Sequence, residues 1–390
     1  MSGREGRTKA LAGLAAPNAG AQHAAKVGFG LMVTALGLCG GLCAGLSGAS
    51  AFLQNPLVGL LSAFTAMLFA LPYLLAILWI DRNEREPWWL VLGALAWGAI
   101  FATGWSILVN DVFIGVAFEV VGDAALAHQL GASLSAPFIE EATKGLAIAS
   151  IYVLFRRHFD NVLDGVVYGA LVGLGFAVFE NFLYYAHTQE IGGVLVLTLV
   201  RGVITAVGSH PAFTALTGVG FGLARVLRRG VLRWLLPPLF LGLAMFAHFS
   251  WNTFTGLFMT NDAVANLFLS LPLAVLVLQL PNVGLLLLLS CLALRHERTL
   301  IRKYLQSESV LQPGEIDRLG SAWRRGWHAI RLLLRLEFRA WWRTRTRKQL
   351  LVKLAFERWH MDEEAEGDPA TAREHAQAVQ ALREQLGSAR

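Results

Sequence analysis

The stretch Ser133-Leu-Ser-Ala-Pro137-Phe-Ile-Glu140-Glu141-Ala-Thr-Lys144-Gly-Leu-Ala-Ile-Ala-Ser-Ile-Tyr-Val-Leu-Phe155 is long and apolar enough to cross a membrane, yet it carries Glu140, Glu141 and Lys144 in its first half. A helix spanning a hydrocarbon core of about 30 Å needs about 20 mostly apolar residues. An ionisable group at that depth costs at least ~2.5–3.5 kcal/mol, so each one needs a partner or a task. Glu140 and Lys144 are i,i+4 neighbours on one helix face. Glu141 lies about 100° further round, so Lys144 alone is not expected to satisfy both carboxylates. A self-neutralising ion pair is one reading of these residues. The other is a carboxylate held by a cation while its neighbour takes or gives a proton.

The flanking sequence has the same character. Of 390 residues, 55% are apolar and 15% charged, with a mean hydropathy of +0.52, which excludes an ordinary soluble enzyme. Runs of span length fall at about 27–50, 56–80, 88–109, 134–156, 164–187, 204–225, 234–257 and 267–294, the last with an expected kink at Pro281. The fold class is therefore all-α, a polytopic transmembrane bundle of about eight spans. Cys39, Cys43 and Cys291 sit in apolar stretches without metal-type spacing.

Cytoplasmic loops retain Lys and Arg, which orients the bundle. With the N-terminus inside, the inner face receives Arg4, Arg7, Lys9, Lys26, Arg82, Arg85, Arg156, Arg157, Arg225, Arg228, Arg229 and Arg233, while the outer loops 110–133 and 258–266 and the corner 188–192 hold no Lys or Arg. Both termini are expected in the cytoplasm, in a bacterial-type inner membrane. The basic leader and Ala49-Ser50-Ala51 imitate a signal peptide, but the apolar stretch exceeds the usual ~7–15 residues, so it is read as a span.

The net charge of +6 lies in the tail: residues 295–390 hold 19 Lys and Arg against 13 Asp and Glu, whereas residues 1–294 hold 14 of each. Three regions are expected: a disordered leader over 1–26, a transmembrane domain over 27–294 and a basic helical tail over 295–390. Trp323, Trp327, Trp341, Trp342 and Trp359 among closely spaced arginines suit an anionic lipid surface, with a solvated helical pair as the alternative. No nucleic-acid recognition motif is present.

Other spans carry further polar residues. Gly165, Gly169 and Gly173 recur every four positions and favour close helix packing. Glu180, beside Asn181, is either a structural anchor or part of a polar cavity shared with Glu140. His248 and Asn252 are i,i+4 and could address one atom. Counted from the outer ends, Glu140, Glu180, His248 and Asn252 lie about six, seven, nine and five residues in, or roughly 8–14 Å deep at 1.5 Å per residue. His210, in Gly208-Ser209-His210-Pro211, joins this layer only if a crossing begins near residue 204. Residues 191–203, with Arg201, then form a separate outer segment; one straight helix over 191–225 would contradict this.

The ordered set Asp81…Glu86-Pro87, Glu140-Glu141-x-x-Lys144, Asp164-Gly165, Phe176-Ala177-x-x-Glu180-Asn181, His210-x-x-x-Thr214 and His248-x-x-Trp251-Asn252 resembles the PrsW family of intramembrane proteases, in the clan of the CAAX prenyl proteases and bacteriocin-processing enzymes. The resemblance covers about 75–260. It implies that Glu140 and Glu141 form the catalytic pair, with His210, His248 and Asn252 in the later motifs. Where CAAX-type relatives have histidine in the second motif, this chain has Glu180. It also implies a metallopeptidase acting on a single-span membrane protein, such as an anti-sigma factor, near the outer face.

Peptide hydrolysis in a membrane needs a water, a base and donors for the developing oxyanion. The layer supplies each: Glu140 as base, His248 and Asn252 facing the oxyanion, Lys144 and Asn181 in support, and Glu180 and His210 orienting the water or binding metal. Glu140, Glu180, His210 and His248 are a donor set suited to Zn²⁺. A metal-free glutamate–histidine mechanism stays open, since no His-Glu-x-x-His helix occurs. The competing class is a proton- or ion-coupled transporter, which predicts an inverted internal repeat; none is visible.

Overall fold

The computed structural model describes residues 19–83, 85–227, 230–258, 262, 265–311, 314–315, 331, 335–364 and 369–388. Arg4, Arg7, Lys9, Arg228, Arg229, Trp323 and Trp327 fall outside them. The described residues are mostly helical, without a strand. In chain order the helices are α1 (Ala19–Gln54), α2 (Pro56–Ile80), α3 (Trp88–Val121), α4 (Ala124–Leu130, a π-helical turn Gly131–Ser135, then Ala136–Leu154), α5 (Val162–His187) and α6 (Ile191–Ile204). They continue with α7 (His210–Val226), α8 (Leu232–Phe258), α9 (Asn266–Leu305), α10 (Phe338–Glu364) and α11 (Pro369–Ser388).

Among the described residues six helices are long and apolar enough to cross a membrane: α1 from Val27, α2, α3, α5, α8 and α9. The chain is a multi-pass membrane protein. The two other expected spans are also helices, 136–154 with its three charged side chains and the 17-residue α7.

Several boundaries differ from expectation, each for a local reason. The outer loop expected over 110–133 is almost entirely helix. Gly122, at φ 69°, closes α3 in the left-handed conformation, and the Asp123 carboxylate caps α4 by accepting from the Leu126 N–H at 2.9 Å. The leader, read as disordered to residue 26, is helical from Ala19. α5 starts at Val162 because Asn161 and Asp164 form a reciprocal capping box, which gives Asp164 a structural task. In α9 the π-helical turn Val275–Gln279 precedes Pro281, where the missing backbone donor disrupts regular α-bonding.

The segment 191–226 is broken as expected, but later. α6 ends at Ile204, residues 205–209 make a turn, and α7 starts at His210 rather than 204. Pro211 fits the first turn of a helix, where its lacking N–H has no partner to lose.

The chain divides into two compact units, residues 1–77 with 87–286 and residues 78–86 with 287–390. In the first, α5 and α7 lie backbone to backbone. A Cβ on Gly165 would strike Gly218, one on Gly169 would meet the Thr214 carbonyl at 2.6 Å, and one on Gly173 would strike the His210 carbonyl. Small residues thus bring His210 and Thr214 against the middle of α5. α1 and α2 leave many large apolar side chains exposed, as lipid-facing helices do. In the second unit, Leu305, Leu351, Ala355 and Leu386 form a closed core, and Glu308 accepts hydrogen bonds from Arg358 and Arg383, each at 2.7 Å. There the Asp81 carboxylate accepts from the Glu86 N–H at 3.0 Å, and Asn83 donates to Glu297 at 3.0 Å.

Candidate active site

Four helices bring their polar residues to one buried cluster. α4 supplies Glu140, Glu141 and Lys144, α5 supplies Glu180, α7 supplies His210 and Thr214, and α8 supplies His248. Lys144 and Glu141 are 0% exposed, and Glu140, His210 and His248 are buried. These side chains are withdrawn from both lipid and water.

Lys144 is the hub. Its Nζ lies 2.9 Å from Glu141 Oε1, 3.3 Å from Glu140 Oε2 and 2.9 Å from His210 Nδ1, and 3.7 Å from the centre of the Phe176 ring. Lys144 thus touches both carboxylates, though, as expected, it does not satisfy them alone. Its long side chain reaches between the i−3 and i−4 positions and meets both. Glu141 needs further donors all the same: Thr214 donates to its Oε2 at 2.9 Å, and His248 Nδ1 lies 3.2 Å from its Oε1.

Partners assign the imidazole protons. Lys144 can only donate, so His210 Nδ1 accepts, and the proton sits on Nε2, which donates to Glu180 Oε2 at 2.8 Å. His248 donates from Nδ1 to Glu141, leaving Nε2 to accept from the Asn252 amide at 3.2 Å. The same amide donates to the Ala132 carbonyl at 2.8 Å, tying α8 to the π-helical turn of α4. The His248 ring also stacks on Phe213, 5.2 Å between centroids. Both rings are thus fixed by polar and aromatic neighbours.

Glu140 is the exception among the carboxylates. Its Oε2 has one close partner, Lys144, and looks toward His210 Nδ1 at 3.9 Å and His248 Nε2 at 4.0 Å. These three atoms lie within 4.8 Å of one another. Zinc bonds of about 2.0–2.1 Å in tetrahedral geometry separate ligands by roughly 3.4 Å, so this set is slightly open. One carboxylate with two imidazoles matches the composition of catalytic zinc sites. The donor set fits a divalent cation, provided that the Lys144 ammonium yields its place beside two of the donors.

Glu180, grouped on sequence with those ligands, lies behind His210 instead. Its Oε2 is engaged by His210 Nε2 and, at 2.6 Å, by Arg201 of α6. Arg201 also donates to Asn181 Oδ1 at 2.8 Å and lies 4.0 Å from the Tyr184 ring centre. Glu180 is where an outer-shell carboxylate that orients an imidazole belongs.

Sequence reasoning gave no role to Thr214 or Phe176 and set Arg201 apart. Thr214 was legible, since it stands four residues from His210 and shares its face. The reach of Arg201 back to α5 follows from the break at 205–209, which was expected, but its partners Glu180 and Asn181 depend on how α6 packs against α5, which no local pattern encodes.

Residues 86–281 match a family described as "PrsW family intramembrane metalloprotease". The chain is 31% identical over 187 residues to a Protease PrsW of Geobacillus kaustophilus, covering 46% of this chain and 77% of that protein. It is 38% identical over 147 residues to a Protease PrsW of Bacillus subtilis, covering 37% of this chain and 60% of that protein. No solved structure matches.

Proposed function

The chain belongs to the PrsW family of intramembrane metalloproteases, and from that premise we propose that Glu140 activates a water for attack on a peptide carbonyl within the membrane. The observation that carries this reading is the asymmetry of the paired acids. Glu141 is saturated by Lys144, Thr214 and His248, whereas Glu140 has a free face toward two imidazole nitrogens. A saturated carboxylate positions its neighbours, and an unsaturated one can exchange protons.

In this mechanism Glu140 Oε2 takes the proton of the attacking water and returns it to the departing amide nitrogen. Glu141 holds the His248 tautomer and anchors Lys144, whose ammonium offsets the charge of the two acids. Glu180 fixes His210. We assign the Asn252 amide, whose two N–H groups here go to His248 Nε2 and the Ala132 carbonyl, as a donor to the developing oxyanion once its bond to His248 is released. A zinc ion, if held by Glu140, His210 and His248, would occupy the Glu140 oxygen that otherwise takes the proton, so it stands as the alternative to that step and would supply Lewis-acid polarisation and a more acidic water.

The substrate class we assign is a single-span membrane protein, such as an anti-sigma factor, cut near the outer face. Both termini are placed in the cytoplasm of a bacterial-type inner membrane, with α10 and α11 on the anionic leaflet. Trp342, 63% exposed, and the arginines of α10 support that contact. The test compares membrane-protein fragments, by sequencing new N-termini, in cells carrying the native chain and the Glu140→Gln variant at equal abundance. A terminus present with the native chain and absent with the variant identifies a substrate. Identical fragments under several stresses would overturn the assignment of Glu140.

A further inference from the structure

The free face of Glu140 Oε2 looks toward His210 of α7 and His248 of α8. A peptide arriving from the membrane must reach that face between helices, and several joints around it are closed by backbone contact. α5 and α7 meet at Gly165, Gly169 and Gly173, as described above. α3 and α5 meet in the same way, since a Cβ on Gly98 would strike the Val172 carbonyl and one on Gly175 the Leu95 carbonyl. α4 is held to α3 by Ser135, which donates to Asn110 at 2.8 Å, and by the Trp97 indole, which donates to the Thr143 carbonyl at 3.0 Å.

α8 is held more loosely. α5 buries 18 residues, α7 buries 12 and the 136–154 part of α4 buries 10, whereas the 27 residues of α8 bury only Ala244 and His248. Its beginning is anchored: a Cβ on Gly220 of α7 would come within 2.6 Å of Phe240 Cβ and 2.8 Å of the Leu236 carbonyl, and one on Gly145 of α4 within 3.3 Å of Leu241. Gly242 follows at once, with open space where its Cβ would stand, and a glycine in a helix interior weakens the helix there. Past His248, two hydrogen bonds tie α8 to other helices among the described residues. Asn252 donates to the Ala132 carbonyl at 2.8 Å, and Ser270 donates to the Phe258 carbonyl at 3.2 Å. Segments with so few buried residues open at the lowest free-energy cost in a fold.

At 1.5 Å per residue, His248 stands about 9 Å from Gly242, and Gly256 about 21 Å. A tilt of about 15° at Gly242 would move them by roughly 2 and 5 Å. The larger shift matches the spacing of about 4.8 Å that one extended strand occupies. The smaller one parts His248 from Glu141, and closing restores that bond and the site with it. We infer that the part of α8 past Gly242 is the gate through which an extended apolar segment of the substrate passes from lipid to the free face of Glu140, along the Gly131–Ser135 turn of α4. The inference rests on the protease reading and deepens it by naming the side of entry. Leu134 and Phe138, exposed, lie on the stripe of α4 that continues through Glu141 and Gly145 to meet α8, so the mouth has an apolar rim.

The test uses the purified full chain in vesicles of phosphatidylethanolamine and phosphatidylglycerol, with Cys39, Cys43 and Cys291 replaced by alanine. The probe is a library of single-span proteins randomised about one end of the apolar helix, with products read by mass spectrometry. Gln129→Cys with Gly256→Cys joins α4 to α8, because Gln129 Cγ, near where the new sulfur would sit, lies 3.4 Å from a Cβ at Gly256. Gly41→Cys with Ile100→Cys joins α1 to α3 as the control, Ile100 Cγ2 lying 3.5 Å from a Cβ at Gly41. Oxidation should lower cutting at least tenfold in the first pair, reductant should restore it, and the control pair should cut equally in both states. Gly242→Ala, whose methyl group meets no neighbour, should raise the unfolding temperature and lower kcat/KM at least threefold, a combination that a misfolded variant cannot show. A first pair shown by mass to be bridged and still cutting at its reduced rate overturns the gate and leaves the protease intact, as does a native kcat/KM in Gly242→Ala. A reduced chain that cuts nothing in the library overturns the reading on which both rest.

Discussion

Replacing Lys144 by methionine keeps the length of the side chain and removes its charge. Lys144 is fully buried and touches Glu140, Glu141 and His210. Glu140, Glu141 and Glu180 share the region with two cations, Lys144 and Arg201, so the change leaves one cation among three carboxylates. Removing one partner of a buried ion pair costs about 3–5 kcal/mol. The same change frees Glu140 Oε2 and His210 Nδ1, two of the three atoms that fit a divalent cation. Zinc should then do what the ammonium did. At a free concentration a hundred times its dissociation constant, a bound ion returns about 2.7 kcal/mol. The assay is thermal unfolding in detergent, with chelator and with Zn²⁺, together with metal content by mass spectrometry. The variant should unfold well below the native chain in chelator, recover most of that loss in Zn²⁺, and retain more zinc after gel filtration. A variant as stable as the native chain in chelator, with no gain in retained zinc, would refute the role given to Lys144.

Thr214→Val deletes the hydrogen bond to Glu141 Oε2 while nearly preserving shape. Bonds to charged groups contribute about 1.5–3 kcal/mol, so cleavage should fall roughly 10- to 100-fold, with protein abundance unchanged; Thr214→Ser should restore most of it. The second unit should show a pH optimum. Burial pushes the Asp81 carboxyl up to about 7, with the Glu297 charge adding to this and the Glu86 N–H and Arg85 opposing it. A carboxyl raised on folding disfavours the folded form when ionised, so stability should rise as pH falls through about 7 toward the unfolded value near 4. Glu308 behaves oppositely: Arg383 and Arg358 outweigh burial and hold it below the usual range, so its contribution is lost as pH falls below about 4. Hydrogen exchange of α10 and α11, corrected for intrinsic rates, should show maximal protection between those limits, and because burial also raises the Glu297 carboxyl, Asp81→Asn should weaken the upper limb without removing it; a variant with the native upper limb would contradict the assignment.

The membrane architecture was legible because hydrocarbon admits few backbone solutions, so each long apolar run between breaks became a helix. The convergence of Glu140, His210 and His248 was legible for a related reason: ionisable groups that persist in such helices must face one another. What escaped the sequence depended on side-chain reach and on geometry between helices. Lys144 reaches both carboxylates because its side chain is flexible, which angular projection on a helical wheel ignores. Glu180 reads as a ligand by type and depth, and the positions of His210 and Arg201 show that its Oε2 is already committed. The 110–133 stretch reads as a loop from its polar residues, whereas Gly122 and Asp123 complete the whole reversal in two residues.

The central claim is that Glu140 activates water to hydrolyse a peptide bond in the membrane. It is tested most directly by adding purified native or Glu140→Gln chain to membranes from cells lacking the protein, in ¹⁸O-labelled water, and weighing the new C-termini. The account predicts new C-termini carrying one heavy oxygen with the native chain and none with the variant at equal folded amount. Labelled termini formed by the variant at the native rate would contradict it.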